Sequence, residues 1–277
     1  MSKESKEVTT KKSTEVSTDF ANMFDQSLVS SGDTMDSEDI RLPKLTLIQA
    51  MTKSTFNTEK AAAGNFVNSI EKNDLGSSLD VFIMSDVKLW QFDYETKKGK
   101  EVKKEYLTIT DFAPYSEVRK NWGKGNYLPA EVIAKAEAKG INEDQLLMPD
   151  LIYRFYVLLV DEVKEGVAFP YIVDFKRSSA TEGNKLKNIF FKMRKMMKLP
   201  SYAKVFNLSS EFVQDEYDYY IKKCTGGRNI TKEELVAVET WAKELQSNST
   251  KYSVDESEEE ESFNNEEVVE AEVSAKF

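Results

Sequence analysis

Leu151-Ile-Tyr-Arg-Phe-Tyr-Val-Leu-Leu-Val160, followed after Asp161–Gly166 by Val167-Ala-Phe-Pro-Tyr-Ile-Val-Asp-Phe175, is the stretch on which the fold class turns. Both runs are rich in β-branched and aromatic residues, and a short polar segment ending in glycine separates them. The pattern predicts two paired strands joined by a hairpin loop. Outward from this pair the strand signal recurs. Leu45 and Leu47 alternate with polar neighbours, Phe66 to Ile70 follows Gly64, and Leu79 to Met84 follows Gly76. Lys88 to Tyr94 sets Trp90, Phe92 and Tyr94 against Leu89, Gln91 and Asp93; Glu105 to Phe112 and Tyr217 to Ile221 read likewise. Three helices interrupt the strands. Pro129 to Ala138 is short and stopped by Gly140. Ser179 to Leu199 aligns Leu186, Ile189, Phe190, Met193 and Met197 on one stripe before Pro200 ends it. Thr231 to Leu245 opens on a Thr231/Glu234 capping box and buries Leu235, Val238, Ala242 and Leu245. Several strands with short turns fit a β-rich α+β barrel or sandwich.

The 277 residues carry 48 acids against 38 bases, a formal charge of −10. That charge is unevenly placed. Residues 252–277 hold ten acids and one base, leaving 38 acids and 37 bases in the rest of the chain. Such an acidic run cannot bury enough apolar surface to offset chain entropy, so residues 251–277 are expected to be a disordered tail. Residues 1–38, rich in Ser, Thr, Lys and acids, are expected to be a disordered arm, and residues 39–250 the folded domain. Inside the arm, Phe20, Phe24 and Leu28 recur every four residues with Met23 beside them, as on one helical face that could dock on the body or on a partner, docking on the body being the expectation. With no histidine and one cysteine, Cys224, the chain has no Ser-His-Asp triad, no Cys-His pair, no His/Cys zinc site and no internal disulfide. No phosphate-binding loop, dinucleotide fingerprint or nucleophile elbow is present. The expectation is a non-enzymatic protein without metal or cofactor. It has no signal-like apolar core at its N-terminus and no span of the roughly 20 apolar residues a membrane helix needs.

Bases cluster within the body. From Gly183 to Ser210 there are seven and no acid. Lys185, Lys187, Lys192, Arg194 and Lys195 lie on the 179–199 helix, with Lys176 and Arg177 just upstream. A second cluster is Lys97, Lys98, Lys100, Lys103 and Lys104; a third is Arg119, Lys120, Trp122 and Lys124. Lysines and arginines follow phosphates, and exposed rings stack on bases for roughly 1–3 kcal/mol each. Trp122 sits in a polar, Gly-rich segment suited to exposure. Trp90 and Tyr94 either stack on bases or, with Phe92, point into the core. The same basic stretches could instead be solvated faces. The acidic tail, with Glu258, Glu259, Glu260 and Glu261 and a final Phe277, could occupy a basic groove until nucleic acid displaces it, or be captured by a partner.

The quoted strands also carry a resemblance. Leu42-Pro-Lys-Leu, Gly64-Asn-Phe-Val-Asn, Leu75-Gly, Tyr156-Val-Leu-Leu-Val-Asp-Glu, Pro170-Tyr-Ile-Val-Asp-Phe-Lys-Arg, Gly183-Asn-Lys-Leu, Tyr217-Asp-Tyr-Tyr and the acidic tail ending in Phe277 resemble the phage-encoded single-stranded DNA-binding proteins. The resemblance implies an oligonucleotide-binding (OB) five-stranded barrel with inserted helices. It implies sequence-independent binding of single-stranded DNA in phage replication or recombination, in the cytoplasm of the infected host. It further implies a tail that recruits polymerase, helicase or recombinase. Two departures are visible: Lys276 places a base beside Phe277, and the inserts around 113–150 and 178–200 are long for a minimal barrel. Homo-oligomerisation is compatible with this reading. The rivals are a phage interaction or virion protein whose acidic tail mimics DNA, and a metal-dependent nuclease.

Overall fold

The computed structural model of the chain describes residues 41–49, 61–98, 101–110, 130–138, 140–141, 150–215, 218–248 and 253–254. The elements run in order β1 (Arg41–Leu42), β2 (Leu45–Leu47), β3 (Phe66–Asn68), β4 (Asp74–Gly76), β5 (Ser78–Lys98), β6 (Glu101–Thr110), α1 (Ala130–Ala138), β7 (Asp150–Leu159), α2 (Val160–Glu165), β8 (Tyr171–Phe175), α3 (Ala180–Lys192), β9 (Lys204–Val213), β10 (Tyr219–Asn229), α4 (Lys232–Asn248) and β11 (Ser253–Val254). The fold is mixed α+β and rich in strands. The arm expected at 1–38, with Phe20, Met23, Phe24 and Leu28, and most of the tail lie outside the described residues. Ser253 and Val254, within the expected tail, pair in parallel with β1.

The main sheet has six antiparallel strands in the order β10-β9-β5-β7-β8, with β6 on the far half of β5. Its two faces carry separate cores because side chains alternate along each strand. On one face Val81, Ile83, Tyr153, Phe155, Val173, Phe175 and Phe206 meet Leu186, Phe190 and Met193 of the α3 region and Leu45, Leu47 and Phe66 of the small sheet β2-β3-β4. Edge-to-face rings knit this core: Phe155 on Phe175 at 5.5 Å, Phe190 on Phe206 at 5.4 Å. On the other face Phe82, Met84, Tyr156, Leu158 and Ile172 meet Val238, Ala242 and Leu245 of α4, with Leu42 and Val163. Among the described residues β8 and β10, the edges of the ladder, share no strand pairing. Other bonds reach both edges. The Ile172 N–H donates to Pro43 O at 2.8 Å, and Lys222 Nζ of β10 donates to Asp174 O of β8 at 2.7 Å.

Three expectations change. The segment 160–166 is not an open hairpin loop but helix α2: Val160 and Val163 are buried, Asp161 and Glu162 sit in the first turn, and Gly166 closes it at φ 75°. The strands expected at 79–84 and 88–94 are one 21-residue strand, β5, bent by a bulge between Ile83 and Ser85. Strand β9 (Lys204–Val213) follows Pro200 where no strand was expected, and β10 extends to Asn229. The capping box is as the sequence predicts: Thr231 N–H donates to Glu234 Oε2 at 2.9 Å, and Glu234 N–H to Thr231 Oγ1 at 3.4 Å.

Candidate functional site

The bulge builds the site. Before it, Val81 and Ile83 face α3 while Phe82 and Met84 face α4. Pairing resumes with Ser85 opposite Tyr156, and Asp86 and Lys88 then oppose Phe155 and Tyr153, residues of the α3 face. One extra residue has exchanged the faces of the strand beyond it. Ser201 Oγ donates to Met84 O at 3.4 Å, satisfying the carbonyl of the bulge. A cleft of about 210 Å³ opens here, lined by Met84, Ser85, Asp86, Arg194, Pro200 and Ser201.

Asp86 gathers two of the bases expected to bind nucleic acid. Arg194 Nη2 lies 2.8 Å and Lys187 Nζ 3.2 Å from its carboxylate. Lys187 also lies over the Tyr153 ring at 5.9 Å, and Arg194 over Phe190 at 5.9 Å. Two positions beyond Asp86, Lys88 Nζ sits 5.3 Å above the Trp90 ring, a cation–π contact. Trp90 opposes Leu151, one position from the Asp150–Gln91 pair. Asp150 in turn accepts from Arg177 Nε at 2.7 Å. Arg177 holds this place with φ 50°, left-handed for a residue with a side chain. Register and ion pairs thus string Lys187, Arg194, Lys88 and Trp90 along one face of β5 toward the β5–β6 ribbon, while Arg177 is held at Asp150, opposite Gln91.

The remaining expected residues divide. Lys185 pairs with Glu182 at 2.6 Å, and Lys223 of β10, not anticipated from the sequence, lies 3.3 Å from the same carboxylate. The Lys185 hydrogen bond, then Lys223, hold the Glu182 carboxyl below its usual range against the opposing effect of burial. Lys192 and Lys195 are exposed at the end of α3, and Lys176 precedes the short turn at Arg177. Phe92 is fully buried with Leu107, Ile109, Val132 and Ala136, and Trp90 packs half-buried against this cluster. Tyr94, Lys97 and Lys98 stand on the distal part of β5 in register with Glu105, Val102 and Glu101; their side chains lie outside the described set. Lys100, Arg119, Lys120, Trp122, Lys124, Glu258, Glu259, Glu260, Glu261 and Phe277 also lie outside the described residues.

A second aromatic feature was not singled out as a site. Phe212, 49% exposed, stands 5.3 Å from Tyr220 near the β9–β10 turn. The Gln49 side-chain amide fixes Tyr220 by accepting from its N–H at 2.8 Å and donating to its carbonyl at 3.0 Å. Gly64 lies under the ring, where a Cβ would meet Tyr220 Cε1 at 2.7 Å. The sequence signal was present in Tyr217-Asp-Tyr-Tyr, but ring exposure is not readable from spacing. Among the described residues no group of three or more Cys, Asp or Glu is arranged to hold a metal ion, and no helix is long and apolar enough to cross a membrane.

A family model described as Pam3 phage gp34-like protein matches residues 11–251. The chain belongs to the Pam3 phage gp34-like protein family. It is therefore a phage protein, and the matched span contains every described element except β11. Comparisons with curated proteins and with solved structures found no match.

Proposed function

We propose that this family member binds single-stranded DNA without sequence preference during phage replication or recombination in the host cytoplasm. The observation that carries the reading is the row along β5, where Lys187 and Arg194 meet at Asp86 and, on the same face, Lys88 caps Trp90. Bases stack on rings while cations follow phosphates, so such a band grips a strand without reading it. The guanidinium and ammonium groups on Asp86 and Asp150 are held in place before a phosphate arrives, which lowers the ordering cost of binding.

The topology supports an OB-like barrel. β5, β7, β8, β9 and β10 form an antiparallel ladder with α3 inserted between the third and fourth of them, and Lys222 and residues 43–49 link its two edges. In OB folds the face of the second and third strands and the loops beside it bind oligonucleotides. Here α4 covers one face of β7–β8, and α3 and the small sheet cover the other. The proposed path therefore runs over the ribbon base; Phe212, beyond the Ser78 end of β5 by register, lies away from it. The acidic residues beyond 254 would compete for this path and recruit polymerase, helicase or recombinase.

The test is a titration of labelled oligo-dT with the full chain and with residues 1–251, at several salt concentrations. The expected outcome is a log–log salt slope of about −0.7 per phosphate contacted, tighter binding by the shorter chain, and weaker binding by Trp90→Ala and Arg194→Gln. Affinity that does not change with salt overturns the proposal. A shorter chain that does not bind at all favours the rival in which the acidic tail is the active part and mimics DNA. Mg²⁺-dependent loss of the strand would identify a nuclease.

A further inference from the structure

Helix α3 continues through a wider π turn, Met193–Met197, and ends where Lys198 adopts φ 55°. The turn keeps Met193 in the core but leaves Phe191, Met196 and Met197 exposed by 62%, 77% and 53%. Lys192, Lys195 and Lys198 are interleaved with them. Unlike Lys185, Lys187 and Arg194, these three lysines have no acidic partner among the described residues. An apolar surface ringed by unneutralised cations fits an acidic segment with bulky apolar side chains on one face.

The same chain contains such a segment. Between Lys12 and Arg41 there are seven acids and no base, the mirror of the seven bases without an acid between Gly183 and Ser210. Phe20, Met23, Phe24 and Leu28 recur in it at helical spacing, with Asp19 and Asp25 flanking them in sequence. We infer that residues 19–28 lie in cis on the surface of Phe191, Met196 and Met197, with Asp19 and Asp25 toward Lys192, Lys195 and Lys198. Twelve residues lie between Leu28 and Arg41, thirteen Cα–Cα steps, a reach of up to about 43 Å. The other acidic segment, beyond Val254, carries Phe263 and Phe277 fourteen positions apart with Val268, Val269 and Val273 between them, so its rings do not recur on adjacent helical turns as Phe20 and Phe24 do. Residues 19–28 also fall within the family match, which begins at residue 11, whereas residues beyond 251 do not.

The test uses full-length chains carrying Met196→Cys with either Met23→Cys or Val273→Cys, oxidised with diamide at low protein concentration. The expected result is a within-chain disulfide forming at least tenfold faster for the Met23→Cys pair. Lys192→Glu with Lys195→Glu, or Phe24→Ser, should slow it severalfold, with circular dichroism unchanged. Equal rates, a faster Val273→Cys pair, or a disulfide found mainly between chains overturns the inference. Because Met196 is a surface residue, its cysteine tests docking without entering the core.

Discussion

Asp174 is almost fully buried, yet it is ionised, because Arg154 and Lys44 meet it in the same interior. Arg154 Nε lies 2.8 Å and Lys44 Nζ 3.2 Å from its oxygens. Burial alone would raise its pKa, but the two cations outweigh that effect and hold the carboxyl far below its usual range. Removing the anion strands two buried cations, so Asp174→Asn should cost about 3–5 kcal/mol in urea unfolding at neutral pH. The folded pKa is depressed, so the contribution is present above the unfolded carboxylate pKa and fades as pH falls toward the folded value. The gap between wild type and Asp174→Asn should therefore narrow at acid pH. Gly183 shows the opposite constraint, an absence of side chain. A Cβ there would lie 2.8 Å from both Phe175 Cβ and Tyr153 Cβ, so Gly183→Ala should destabilise by about 1–3 kcal/mol through overpacking. Burial pushes the Cys224 thiol up to about 12. Its labelling by a thiol reagent at pH 8 should be slow in the folded protein and should follow unfolding in urea.

Among the elements, α4 is the best specified by sequence. Its capping box joins the Arg228 guanidinium, which donates to both oxygens of Glu234. Thr231→Ala should cost about 1 kcal/mol, measurable as a shift in urea midpoint. The three expected helices form because each has a stop and a 3.6-residue stripe. The apolar runs of β7 and β8 were legible for the same kind of reason: they are buried on both sides, which demands near-continuous hydrophobicity. What escaped the sequence depends on tertiary context. Helix α2 is only six residues and takes its stability from burying Val160 and Val163, so its polar positions imitate a loop. The bulge in β5 leaves no composition signal, although it decides which face Asp86, Lys88 and Trp90 join. Lys223 was missed because its partners, Glu182 and Glu211, come from α3 and β9. The clustering of bases along α3 is visible in the sequence; the neutralisation of Lys187 and Arg194 by Asp86, on another element, is not.

At the scale of the molecule, the near balance of charge before residue 252 makes the placement of charges matter more than their total. Surface ion pairs contribute little stability individually. Arg194 is half-exposed and Lys187 stays on Asp86 when it is removed, so Arg194→Gln should leave the urea midpoint nearly unchanged while weakening the proposed strand binding, which separates a binding role from a structural one. One strand joins the two halves of the architecture. Up to Gln91, β5 has neighbours on both sides for much of its length; beyond, its described partner is β6 alone. It behaves as a cantilever clamped in masonry. Any load on its free end is carried back through the paired half to the bulge, where Ser201 props the Met84 carbonyl.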